Sequence, residues 1–250
     1  MYKSIYIDGC SFFNYPWEWE NNRRQSHNKD IAKINPKTTK NLTEVLKKNT
    51  FGYAIAKHFK VNNYTNNSEV GKSNESILRD TKEYLLNHKF DNSFMVIGLT
   101  QESRYDVPTV IDRHNSGSSS KYTINKFYIE PKDRQFDRLF NRKRITLKDY
   151  EKFNQLRHKV YFSLEHYIDD LETDLSIINK ILINNNSKLI VINNLLDYKF
   201  SNKPYYWNIQ NKYNNWQDFI KSYDIKYDME QHPNTDDHKI LAKELINYLK

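Results

Sequence analysis

Four stretches of this chain carry side chains that could do chemistry. Gly9 to Phe13 (GCSFF) offers the Ser11 hydroxyl beside the Cys10 thiol, and Val70 to Asp80 (VGKSNESILRD) offers Gly71 and Asn74 at the start of a helical pattern. Phe94 to Arg104 (FMVIGLTQESR) is an apolar run that ends at Thr100, with Glu102 and Arg104 just beyond. Asp228 to His238 (DMEQHPNTDDH) holds two imidazoles, His232 and His238, and flanking carboxylates at Asp228 and Glu230. A serine hydroxyl becomes a nucleophile when a base removes its proton, and an unperturbed imidazole titrates in the range that suits this task. A developing oxyanion needs preorganised donors, and a glycine lets backbone approach closely enough to supply one. The same residues have ordinary uses. Serine can cap a turn, Asn74 can open a helix, His232-Pro233 can form a loop corner, and His238 falls in the first turn of the last helix.

The elements that would position these groups are legible in outline. Ile5-Tyr6-Ile7 reads as a buried strand that stops at Asp8-Gly9. A hydroxyl just past the carboxyl end of such a strand stands where open α/β sheets bind ligands. FMVIGL and KLIVIN (residues 188–193) are continuous apolar runs, as parallel strands buried on both faces are. A short strand is expected over Lys60 to Tyr64. Helical spacing predicts a helix capped by Thr50, one from Asn74 to His88 capped by Ser73, one long or two joined helices over Leu147 to Asn184, a short one at Asn215 to Tyr223, and a last one from Asp236 to Leu249. Strands alternating with helices imply a three-layer αβα, flavodoxin-like fold. Its mostly parallel sheet has about five strands, with helices on both faces. Residues 14–41 and 101–146 read as two long insertions in a single domain spanning 1–250. Within the second, Lys121 to Ile129 alternates like a hairpin arm and Ser116 to Ser120 like its tip.

Composition narrows the classes. The chain has 250 residues and a formal net charge of +8, with a mean hydropathy of -0.90 and a pI of about 9.2. The positive charges are scattered and only Arg134 to Arg144 is locally dense, which reads as a solvated basic surface ahead of a nucleic-acid groove. One cysteine excludes an intrachain disulfide and a multi-cysteine zinc site. No apolar run approaches a bilayer span and no secretory signal pattern opens the chain, so a cytoplasmic location without membrane partners is expected.

Taken together and in this order, the four stretches resemble the SGNH hydrolases, also called GDSL esterases and lipases. GCSFF matches the nucleophile turn, with Cys10 where the family often has aspartate. VGKSNESILRD is similar to the oxyanion-hole segment, FMVIGLTQESR stands where the family has GxND, and DMEQHPNTDDH is similar to the C-terminal acid-histidine segment. The resemblance implies a cofactor-free esterase with Ser11 as nucleophile, His232 as base and Asp228 orienting the imidazole. Gly71, Asn74 and Thr100 would form the oxyanion hole, and Glu102, Arg104 and Trp17 are candidate substrate contacts. It also implies acyl esters as substrates, commonly small acyl groups on carbohydrate. The sequence departs from the pattern twice. The position three residues before His232 is Met229, between Asp228 and Glu230, and Thr100 replaces the family's asparagine. Two other classes stay open. IYIDG also resembles the first strand of NYN-type ribonucleases, where Asp8 would bind a divalent ion with help from Glu102 or Asp197. A non-catalytic glycan- or polyanion-binding module on a hydrolase scaffold is the third.

Overall fold

The computed structural model describes residues 2–10, 13, 48, 50–69, 72–100, 105–109, 123–127, 152, 163–194, 196, 198, 203–207, 213, 215–222 and 233–250. Ser4–Gly9 (β1) and Phe94–Leu99 (β3) form the centre of a parallel sheet, with Asn63–Asn66 (β2) at one edge and Lys188–Asn193 (β6) at the other. The strand order is β2-β1-β3-β6, and every pairing is parallel. Beyond β6, Tyr206 makes one parallel bridge to Val191, fixed by hydrogen bonds from Val191 N–H to the Tyr205 carbonyl (2.8 Å) and from Trp207 N–H to the Val191 carbonyl (3.0 Å). The fifth position is thus held by a short contact. Tyr105–Thr109 (β4) and Thr123–Phe127 (β5) pair separately as an antiparallel hairpin.

Side chains alternate across the strands, and each face has its own core. Ile5, Ile7, Phe94, Val96, Ile190 and Ile192 face one side, with Phe51 and Ile55 of α1 (Phe51–His58) and Leu241 and Leu245 of the C-terminal helix. Tyr6, Met95, Ile97, Leu189 and Val191 face the other, with Ile77 and Leu78 of α2 (Asn74–Asn87) and Leu171, Leu175 and Ile178 of α3 (Leu164–Asn184). Trp216–Lys221 (α4) and Thr235–Leu249 (α5) complete the described helices, and Trp216 and Phe219 join the first core. The expected α/β class with helices on both faces is what the chain adopts. No described helix is long and apolar enough to cross a membrane.

The helix starts follow local capping chemistry. Thr50 accepts from Tyr53 N–H and Ser73 from Ser76 N–H, as their side-chain types predict. Asn234 and Asp237 form a reciprocal capping box at α5. The strand expected at Lys60 begins three residues later, at Asn63. Lys60 is in the left-handed region (φ 55°), and Val61 N–H returns to the Ala56 carbonyl at 2.9 Å. That closure ends α1 and consumes the residues that would have extended β2. Apart from Lys152, the part of the long helix expected over Leu147 to Tyr161 lies outside the described residues, as do the hairpin tip and most of both insertions.

Candidate active site

The carboxyl ends of β1, β3 and β6 meet at one edge, with Gly9 opposite Gly98 and Leu99 opposite Asn193. Past β1, Phe13 N–H donates to the Cys10 carbonyl at 3.0 Å. Cys10 is fully buried, with Asn194 Nδ2 3.7 Å from its sulfur, so it is a small core group at the sheet edge. Asn66 Nδ2 donates to the Phe13 carbonyl at 3.1 Å. The Phe13 ring lies over the paired glycines. A β-carbon at Gly9 would come within 2.9 Å of it, and one at Gly98 within 2.6 Å. The residues on either side of positions 11 and 12 are therefore held by backbone, amide and ring contacts.

A second anchor joins the start of α2 to the end of β3. Asn74 is completely buried. Its Oδ1 accepts from Thr100 N–H at 2.8 Å, and its Nδ2 donates to the Thr100 carbonyl at 2.9 Å and to the Tyr167 hydroxyl at 2.8 Å. Both amide hydrogens are committed, so an anion could take one only by displacing a buried acceptor. Thr100 Oγ1 is buried and has no hydrogen-bond partner among the described residues. Two of the three expected oxyanion residues, Asn74 and Thr100, are thus neighbours, bonded chiefly to one another.

Below this edge lies a charged cluster that the sequence reading missed. Asp8 is 0% and Lys72 1% exposed. Lys72 Nζ stands 2.6 and 2.8 Å from the two Asp8 oxygens, 2.7 Å from Asp80 Oδ2 and 3.1 Å from the Asn67 carbonyl. Asp8 also accepts from Gly9 N–H (2.8 Å), the Tyr6 hydroxyl (2.9 Å) and Asn67 Nδ2 (3.1 Å). Burial dominates and raises the Asp8 carboxyl to about 6 against the opposing pull of Lys72. Burial, then the Asp8 charge, pushes the Tyr6 phenol well above its usual value. The nuclease alternative asked Asp8 to bind a divalent ion. An ammonium fills that place, and no cluster of three metal-ligating side chains occurs among the described residues. Lys72 is the one basic residue between Val61 and Leu78, and nothing in the local pattern marks it as buried.

The first turn of α5 reaches the other side of the same edge. His238 is buried. Its Nδ1 accepts from Phe51 N–H at 3.2 Å, and burial lowers its pKa to about 3. Its ring stacks on Phe51 (5.9 Å, 15°) and meets Trp216 edge-on at 5.4 Å. Phe51 and Trp216 in turn pack on Phe13, at 4.6 and 5.5 Å. One aromatic cluster therefore links the residue two positions after Ser11 to the helix that follows His232-Pro233. His238 itself serves as an acceptor in the core. Ser11, Trp17, Gly71, Glu102, Arg104, Asp197, Asp228, Glu230 and His232 lie outside the described residues.

Comparison with solved structures finds seven matching chains. A carbohydrate esterase, described as having an active site with divergent catalytic and non-catalytic binding functions, aligns with 99% of this chain and 68% of its own, at a TM-score of 0.32 and 14% identity. A similarity that weak bears on no residue of the site. No family model and no curated protein sequence matches the chain.

Proposed function

We propose that this chain is a serine hydrolase of the SGNH type that cleaves small acyl esters, foremost acetyl groups on carbohydrate. One observation carries the reading. The Phe13–Phe51–Trp216–His238 cluster joins the residues flanking Ser11 to the first turn of α5 at the carboxyl end of β1, and the Asn74–Thr100 clamp brings the start of α2 to the carboxyl end of β3 beside it. Those are the segments that carry the nucleophile, the oxyanion donors and the histidine in the family the sequence resembles.

In this reading Ser11 Oγ attacks the acyl carbonyl while His232 takes its proton and Asp228 steadies the imidazolium. The oxyanion is met by backbone N–H groups at Ser11 and Gly71. Asn74 is committed to the Thr100 backbone, so the Thr100 hydroxyl takes the side-chain donor role. His232 then protonates the leaving alcohol, and water releases the acyl group from Ser11. Trp17, Glu102 and Arg104 line the substrate side, where aromatic faces with polar edges suit a sugar ring.

The test is hydrolysis of p-nitrophenyl acetate by the wild type, Ser11→Ala and His232→Ala, each with and without EDTA. Turnover should fall at least about a thousandfold in either variant, be indifferent to chelator, and pass through an intermediate heavier by one acetyl group on the peptide containing Ser11. Turnover that survives Ser11→Ala ends the proposal.

A further inference from the structure

Lys72 holds one loop to one strand with almost every donor it has. The loop leaves β2 along β1, where Asn67 N–H donates to the Ile7 carbonyl at 2.8 Å and Glu69 N–H to the Gly9 carbonyl at 3.1 Å. It then closes on itself, since Lys72 N–H reaches the Glu69 carbonyl at 3.4 Å and Lys72 Nζ the Asn67 carbonyl at 3.1 Å. The ammonium ends between Asp8 on the strand and Asp80 two turns into α2. Arg79 Nε lies 3.5 Å from Asp80 Oδ1, so two acids face two bases. An ion pair this buried is weak evidence for net stability, because desolvation offsets the attraction. Its clearer effect is to fix the relative positions of the three segments it joins.

We infer that Lys72 is a positioning residue: through Asp8, Asp80 and the Asn67 carbonyl it fixes residues 67–69 and 72–74 against the carboxyl end of β1, the edge where the hydrolase reading puts its backbone donors. This rests on the hydrolase reading for its catalytic consequence, though the tie itself does not. Ser73 and Asn74, which follow directly, already have assigned work as the helix cap and as the Thr100 clamp. Between Glu69 and Asn74, Lys72 reaches back to β1 with its side chain. A donor displaced by about 1 Å in such a site costs on the order of a hundredfold in rate. The loss should fall on kcat, because the donors act on charge that develops in the transition state.

The experiment compares wild type, Lys72→Met and the paired Asp8→Asn/Lys72→Met variant. The pair removes both charges, so no uncompensated carboxylate is left buried. Amide hydrogen exchange of residues 66–74 is read beside kcat and KM on p-nitrophenyl acetate. In the paired variant the loop amides should exchange at least tenfold faster while those of β3 and α5 keep their protection. The kcat should fall tenfold or more with KM within twofold. If the paired variant does not melt cooperatively, Asp80→Asn takes its place. It releases the half-exposed end of the tie, and a threefold gain in loop exchange is expected. Loop exchange unchanged in a folded variant overturns the inference, as does accelerated exchange with kcat unchanged. A wild type without Ser11-dependent turnover but with a loosened loop in the variant retires the hydrolase reading and leaves the tie standing.

Discussion

The backbone N–H of Phe51, in the first turn of α1, is capped by a side chain of α5: His238 Nδ1 accepts it at 3.2 Å, with the two rings stacked 5.9 Å apart. An acceptor on Nδ1 places the imidazole proton on Nε2, in the neutral form. His238→Phe keeps the ring stack and removes the acceptor, which leaves a buried helix-start N–H unpaired. The expected loss is about 1–3 kcal/mol in urea unfolding at pH 7.5. The pH dependence has a definite sign. The His238 pKa is depressed to about 3 in the fold, against roughly 6.5 unfolded. Its contribution is therefore complete above pH 6.5 and is lost as pH falls from 6.5 toward 3, because only the unfolded chain takes up the proton. The advantage of wild type over His238→Phe should shrink across that window. An advantage that grows on acidification would contradict the assignment.

Gly98 makes room for the ring that holds the turn after β1. A β-carbon there would meet Asn194 Nδ2 and come within 2.6 Å of Phe13 Cε2 and 2.8 Å of Cδ2. At Gly9 the nearest approach is 2.9 Å, to one edge of the same ring. Overpacking of this kind costs about 1–3 kcal/mol. Gly98→Ala should therefore lower the melting temperature more than Gly9→Ala, and should reduce ester turnover because Phe13 must move. Equal melting temperatures for wild type and Gly98→Ala would show that the edge is looser than these distances imply.

Asn74 and Thr100 form a two-bond clamp that a shorter side chain cannot replace. Asn74→Ala strands the buried Thr100 N–H and carbonyl, at a cost on the order of 3 kcal/mol. Tyr167→Phe removes one partner of the same amide and should cost about 1 kcal/mol. Thermal melts of the two variants test the order. A milder effect from Asn74→Ala than from Tyr167→Phe would mean that water replaces the clamp.

The strands were legible because a strand buried on both faces must be apolar throughout, and FMVIGL and KLIVIN satisfy that with no other use for the pattern. Thr50 and Ser73 announced their helices because a hydroxyl at the first free N–H groups is a local interaction, visible within four residues. The start of β2 was misplaced because Lys60 takes a left-handed conformation that lysine does not advertise. At the site, the sequence named Asn74 and Thr100 but not that each satisfies the other, since that depends on where α2 meets β3. Lys72 was missed for the same reason. A lone lysine among small polar residues reads as solvated until a fold brings Asp8, 64 positions away, against it.

Asp8 gives the opposite pH signature to His238. Its folded-state pKa is raised to about 6, above an unfolded value near 3.9. The folded chain therefore holds the proton more tightly. Asp8 contributes stability that is fully present below about pH 3.9 and lost as pH rises through 6. The groups facing it are Tyr6 and Gly9 of β1, Asn67 of the loop and Lys72, with Asp80 on the far side of Lys72. Asp8→Asn keeps the size of the side chain and removes this titration, while the other carboxylates remain common to both proteins. The unfolding free energy of wild type minus that of Asp8→Asn should therefore rise as pH is lowered from 7 to 4, with most of the rise between about 6 and 4. Chemical denaturation at half-unit pH steps measures it. A difference that falls on acidification would mean that Lys72 outweighs burial and that Asp8 stays ionised throughout the range.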